Sequence, residues 1–174
     1  MTDRRNITTR EGFGVLQILT VTVLIALIAT GTYYYIRQQM LARECAANLR
    51  RMYAALELYE IDRGTLPRLA FFPDDPKQDP DSIVVALTPY GTTPDVYLCP
   101  TAPLSHRELG LTYLWNTRLN GRKIPRASTP EWMLVEINAL SDEVPGSHMG
   151  QYNVLFTDGT VHREKEPPAG LREL

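Results

Sequence analysis

From Phe13 to Ile36 the chain carries no Asp, Glu, Lys, Arg or His, a run of 24 residues. As a helix rising about 1.5 Å per residue, that run reaches roughly 36 Å. A bilayer hydrocarbon core is about 30 Å thick, so a membrane-spanning helix is the default reading. A buried core helix is usually shorter and amphipathic. A cleaved secretory signal has a shorter apolar stretch, and Ala29-Thr30-Gly31 only faintly matches its cleavage site. The run instead continues through Tyr33, Tyr34, Tyr35 and Ile36, aromatics suited to a membrane interface. A surface-lying amphipathic helix needs a charged face, which this run lacks.

Beyond Ile36 the pattern changes. Leu41, Cys45, Leu49, Met52, Leu56 and Tyr59 recur at steps of four and three, with Arg43, Arg50, Arg51, Glu57 and Glu60 largely off that stripe. No proline precedes Pro67, so nothing forces a break between Phe13 and about Asp62. The pattern predicts one long helix, apolar all round in its first half and one-sided in its second. Gly64 and Pro67 end it.

The remainder is made of short segments. Phe72 to Ser82 is polar and rich in Pro and Asp, an exposed loop. Its acidic residues Asp74, Asp75, Asp79 and Asp81 suit a solvated loop better than a cation site. Ile83–Leu87 is a short apolar segment, and Val96–Cys99 is expected to be a short strand. Leu111–Trp115 alternates weakly, and Trp132–Ile137 is a better strand. The strongest signal is Tyr152–Phe156, Thr157-Asp158-Gly159-Thr160, then Val161–Arg163, which reads as strand, turn, strand. The charged, Pro- and Gly-containing tail from Glu164 is expected to be loose. These elements predict an α+β fold, a long N-terminal helix packed on a small antiparallel sheet.

Composition changes this picture little. The net charge of −2 gives no basic face for phosphates, which argues against nucleic-acid binding. Arg4, Arg5 and Arg10 precede the apolar run, and Arg37, Arg43, Arg50 and Arg51 follow it, so charge alone does not orient the span. The histidines are His106, His148 and His162. With Asp142, Glu143 and Asp158 they suggest a metal site only loosely, because no pair has zinc-like C-x-x-C or H-x3-H spacing. Asp158 fits the turn better, and His148 fits a side chain bonded to a turn. Ser147 beside His148 is no triad, and neither a G-x-S-x-G elbow nor a phosphate loop occurs. Cys45 and Cys99 are the only cysteines. Each reads as a buried free thiol, or, in an oxidising compartment, as half of a disulfide joining the helix to the sheet region. Such a closure is worth about 4 kcal/mol in the chain-entropy model.

Gly12-Phe13, after a short leader with Arg4, Arg5 and Arg10, resembles the processing site of type IV prepilins and type II secretion pseudopilins. Cys45-x-x-Asn48-Leu49-Arg50-Arg51-Met52, then Leu56-x-x-Tyr59, Asp62, Gly64 and Pro67, is similar to the helix end of many prepilin-like proteins. Pro89-Tyr90 and Cys99-Pro100 fit the middle of that group, and His148 with Asp158-Gly159 is similar to its H-x9-D-G signature. The resemblance covers Gly12 to about His162.

It implies a leader 1–12, a membrane helix 13–36, an amphipathic stem 37–62, a pilin-like domain 63–163 and a tail 164–174. A prepilin peptidase would cut after Gly12 and methylate Phe13. An inner-membrane assembly platform would then move the chain from lipid into a filament with other pilin or pseudopilin subunits. The protein would be structural and no enzyme, held in the cytoplasmic membrane by a single pass with its domain outside the cytoplasm. The resemblance calls for no cofactor. If a metal is held, it points to calcium, for which Ser141–Ser147 offers oxygens. One departure matters. Most members carry a Glu five residues into the mature chain, where this chain has Gln17. Certain minor pseudopilins at filament tips also lack that Glu. Two other classes make different predictions. A signal-anchored binding ectodomain would keep its original N-terminus and form no polymer. An anchored enzyme would join His148 to distant acidic residues in a pocket.

Overall fold

The computed structural model describes residues 14–126, 128–141 and 143–173; Gly12, Phe13 and Asp142 lie outside them. The chain forms two compact units, divided within its first helix between Arg37 and Gln38.

Helix α1 runs unbroken over Val15–Arg63. In the first unit every described residue is exposed, among them Leu16 at 77% and Ile28 at 69%. This is the one helix among the described residues long and apolar enough to cross a membrane. Three of its hydroxyls are satisfied internally: Thr20, Thr22 and Thr30 each donate to the carbonyl four residues back at 2.8 Å. Gln17 accepts from the Gly14 N–H at 3.0 Å, the reach-back half of a capping box.

From Gln38 onward α1 is one-sided. It buries Ala42, Cys45, Asn48, Leu49, Met52, Ala55 and Leu56. The expected stripe included Leu41, but Leu41 is half-buried and Ala42 takes the inner position. Gly64 closes the helix at φ +82°, its N–H bonded to the Glu60 carbonyl at 2.7 Å. The Tyr90 hydroxyl then donates to Asp62 at 2.8 Å.

Four strands form one antiparallel sheet in the order β1 (Tyr113–Trp115), β2 (Trp132–Glu136), β3 (Tyr152–Phe156) and β4 (Val161–Glu164). Successive strands are neighbours, as antiparallel connections favour. The second half of α1 packs on one face. Leu49, Met52 and Leu56 share a core with Tyr113, Trp115, Met133, Leu134 and Leu155. A register shift between Trp132 and Leu134 puts Met133 and Leu134 both into this core. Two residues on, Glu136 is brought into the same interior.

The opposite face is covered too, by Phe71, Phe72 and Leu171 over Leu114, Trp132, Val135 and Val154. Hence every residue of β1 and β2 is buried. The tail expected to be loose supplies part of this cover. Leu171 is buried, and the Trp132 indole donates to the Ala169 carbonyl at 3.1 Å.

Two other expectations change. Val96–Cys99 is no strand: Pro94–Tyr97 is a 3-10 turn and Leu98 and Cys99 follow it irregularly. Pro94 at its start has no N–H for a ladder and presets a turn angle. Ile83–Leu87 forms a single helical turn, α2, capped by Ser82, whose hydroxyl accepts from the Val84 N–H. Another short helix, α3, spans Leu104–Glu108. The β3–β4 hairpin forms where expected, with Gly159 at φ +79°. Asp158 serves the turn through its carboxylate, which accepts from both the Thr160 N–H and its hydroxyl.

Candidate functional site

Four polar side chains meet inside the domain. Cys45 comes from α1, Cys99 from the segment after the 3-10 turn, Glu136 from the end of β2, and His148 from the loop before β3. None is more than 1% exposed. Their ligand-capable atoms all lie within 4.8 Å of one another.

Each is held from its own element. Asn48, one turn after Cys45, donates to the Leu98 carbonyl at 3.1 Å and to that of Asp95 at 3.3 Å. That fixes the chain entering Cys99, whose N–H donates to the Thr112 hydroxyl at 2.7 Å. Glu136 is positioned by the pairing of β1 and β2, opposite Tyr113. His148 sits in a tight loop closed by paired backbone bonds with Gln151, at 3.1 and 3.3 Å. Gly146 permits that closure, because a Cβ there would lie 2.4 Å from the Gln151 carbonyl oxygen.

Glu136 Oε1 is the hub. It lies 2.6 Å from His148 Nε2, accepts from the Cys45 thiol at 3.0 Å, and is 3.9 Å from Cys99 Sγ. Cys99 Sγ is 3.5 Å from His148 Nε2. The Tyr113 hydroxyl is 3.1 Å from Cys45 Sγ. The Thr101 hydroxyl lies 3.3 Å from His148 Nδ1 and 3.1 Å from Cys99 Sγ. The Asn153 N–H also donates to Glu136 Oε1, at 3.3 Å. Glu136 Oε2 is buried without a hydrogen-bond partner among the described residues.

These surroundings pull the two thiols apart. Burial, reinforced by Cys99 and by the Glu136 carboxylate, pushes Cys45 well above the ordinary thiol range. Cys99 is drawn down to about 6, first by its hydrogen bond with Cys45, against burial, and then by His148. Burial lowers His148, but hydrogen bonds to Cys99 and Glu136 and their charges outweigh it and carry it to about 9. Burial chiefly raises Tyr113 far above its usual value.

Cys45 and Cys99, paired as a candidate disulfide from the sequence, thus share one site and stand as free thiols. His148 is bonded to side chains from distant elements, not merely to its own turn. Asp158 and Gly159 are elsewhere, at the β3–β4 hairpin, so the H-x9-D-G motif serves two separate places. His106, His162 and Glu143 take no part in the cluster. Gln17 caps its own helix, while Gly12 and Phe13 fall outside the described residues.

Glu136 was missed. Its sequence signal is a carboxylate closing a strand, Trp132–Glu136, whose other residues are all apolar. The search for zinc-like C-x-x-C or H-x3-H spacing does not reach this group, since Cys99 and Glu136 are 37 residues apart and Glu136 and His148 are 12 apart. Such a site is written in topology rather than in a local motif.

The described residues define an α+β protein in which the second half of the long helix α1 packs on a four-stranded antiparallel sheet. Comparison with protein-family models, with curated proteins and with solved structures found no match.

Proposed function

We propose that this chain is a structural subunit of a type II secretion or type IV pilus-like filament, processed by a prepilin peptidase between Gly12 and Phe13. The observation that carries the reading is α1 itself. One uninterrupted helix presents apolar side chains on all sides over Val15–Ile36, then carries a folded domain from Ala42 to Leu56. A subunit that moves from bilayer to filament needs this construction. Its apolar half must suit lipid first and neighbouring helices later. With both environments apolar, packing rather than the hydrophobic effect decides between them. The domain would lie outside the cytoplasm, on a cytoplasmic-membrane anchor, and the partners would be the peptidase, the assembly platform and other subunits.

Gln17 favours a second reading, a signal-anchored ectodomain that does not polymerise. Its side chain is neutral and is engaged with Gly14 of its own helix. Intact mass and N-terminal sequencing of the protein from its native membrane separate the two. A methylated N-terminus at Phe13 is the expected result. An N-terminus at Met1 would overturn the filament reading in favour of the plain anchor.

A further inference from the structure

We propose that Cys45, Cys99, Glu136 and His148 form a buried binding site for one zinc-like divalent cation, with both sulfurs, Glu136 Oε1 and His148 Nε2 as its four ligands. Two thiolates, an imidazole and a carboxylate are a donor set suited to a borderline-soft, four-coordinate ion. With zinc–ligand bonds of about 2.0–2.3 Å, a tetrahedral site separates its donors by roughly 3.3–3.8 Å. Three of the six donor separations, at 3.0, 3.5 and 3.9 Å, fall near that range, and all six lie within 4.8 Å. The Glu136–His148 pair, at 2.6 Å, needs to open by about half an ångström or more.

The surrounding groups fit the same role. A metal-bound imidazole normally gives its other ring N–H to an acceptor, and the Thr101 hydroxyl stands 3.3 Å from Nδ1. The Tyr113 hydroxyl and the Asn153 N–H approach a ligand sulfur and a ligand oxygen. A disulfide accounts for the two cysteines alone. It leaves unexplained why a carboxylate and an imidazole from two further elements aim at the same point. An interior with no ion is a poor home for this set, because a buried carboxylate is costly unless fully paired, and Glu136 Oε2 has no partner among the described residues. Four ligands from four elements, with no position left open and none exposed, make a structural rather than a catalytic centre. It would fasten α1 to the sheet and to two loops.

The inference does not depend on filament assembly. Its test uses the full chain, purified in detergent under reducing conditions, stripped by a chelator and titrated with Zn(II) or Co(II). About one ion per chain should bind, with proton release. Co(II) should show sulfur-to-metal charge transfer and the ligand-field bands of a tetrahedral site. His148→Gln and Glu136→Gln should each weaken binding on the order of 100-fold or more. Thr101→Val, which removes no ligand, should weaken it roughly 10–100-fold while the chain stays folded. A folded wild-type chain with no charge-transfer band would overturn the proposal. So would affinity unchanged by His148→Gln, or protein from its native membrane with Cys45 and Cys99 already joined and lighter by two hydrogens. N-terminal processing is read separately, so either proposal can fail without the other.

Discussion

The two halves of α1 obey the same backbone rules and have opposite surfaces. Over Val15–Ile36 every residue is exposed, most are apolar and none is charged. From Ala42 to Leu56 the inner positions are fully buried and the outer ones carry Arg43, Glu44, Arg50 and Arg51. Polar groups are handled differently too. In the first half, the hydroxyls of Thr20, Thr22 and Thr30 bond within the helix, to carbonyls four residues back. In the second half, Asn48 reaches outward and ties the helix to the segment before Cys99. The lesson is that helix formation is local, whereas a helix's role is set by what its surface has to match. An all-apolar surface needs an apolar surrounding, and a striped one needs a partner on one side only.

The largest expected effect separates the halves by burial. Leu49→Ala should destabilise the domain by about 2–5 kcal/mol, because it leaves a cavity against the sheet. Leu24→Ala, at an exposed position, should change it by no more than about 0.5 kcal/mol. Leu24→Arg should instead impair membrane insertion by about 2.5–3.5 kcal/mol and leave the domain intact. Denaturant unfolding in detergent and a membrane-partition assay read the two properties independently. Equal destabilisation by Leu49→Ala and Leu24→Ala would erase the distinction.

A smaller effect follows from the polar groups. Asn48→Ala removes both bonds to the Asp95 and Leu98 carbonyls and should destabilise by about 1–3 kcal/mol. Thr22→Val removes only a local bond to Ile18, and the domain's unfolding midpoint should not move measurably. Matched shifts in the two variants would show that Asn48 is not a tertiary tie.

The smallest effect lies at the β3–β4 hairpin and serves as a control on a local turn. The Thr160 hydroxyl, and then its N–H, hold the Asp158 carboxylate below its ordinary 3.8. A folded-state value below the unfolded one means that the stabilisation is complete above about pH 3.8 and is lost as pH falls through the lower folded value. Asp158→Asn should flatten that part of the acid limb in a stability–pH profile. Identical acid limbs for the two chains would remove Asp158 from the account.

Legibility in the sequence followed the range of the interactions. The uncharged run, the helix stop at Gly64 and the Asp158-Gly159 hairpin were all readable, because each depends on neighbours a few residues away. The strand expected at Val96–Cys99 failed because Pro94, just outside the apolar segment, imposed a turn. The tail was misjudged because Leu171 packs on the far face of the sheet, and composition does not reveal a docking partner. Glu136 is not singled out by the sequence, because the β1–β2 pairing is what turns the end of this apolar strand inward.

The sequence by itself determined that a single continuous helix would be apolar all round and then striped, and that a small antiparallel sheet would follow. Hydrophobic periodicity, proline placement and turn chemistry act within a few residues, so they can be read along the chain. Only the tertiary structure decided that Cys45, Cys99, Glu136 and His148 share one buried point. Their approach depends on α1 lying on the sheet, on the register shift in β2 and on the closed loop at Gly146. No spacing along the chain encodes the sum of those three.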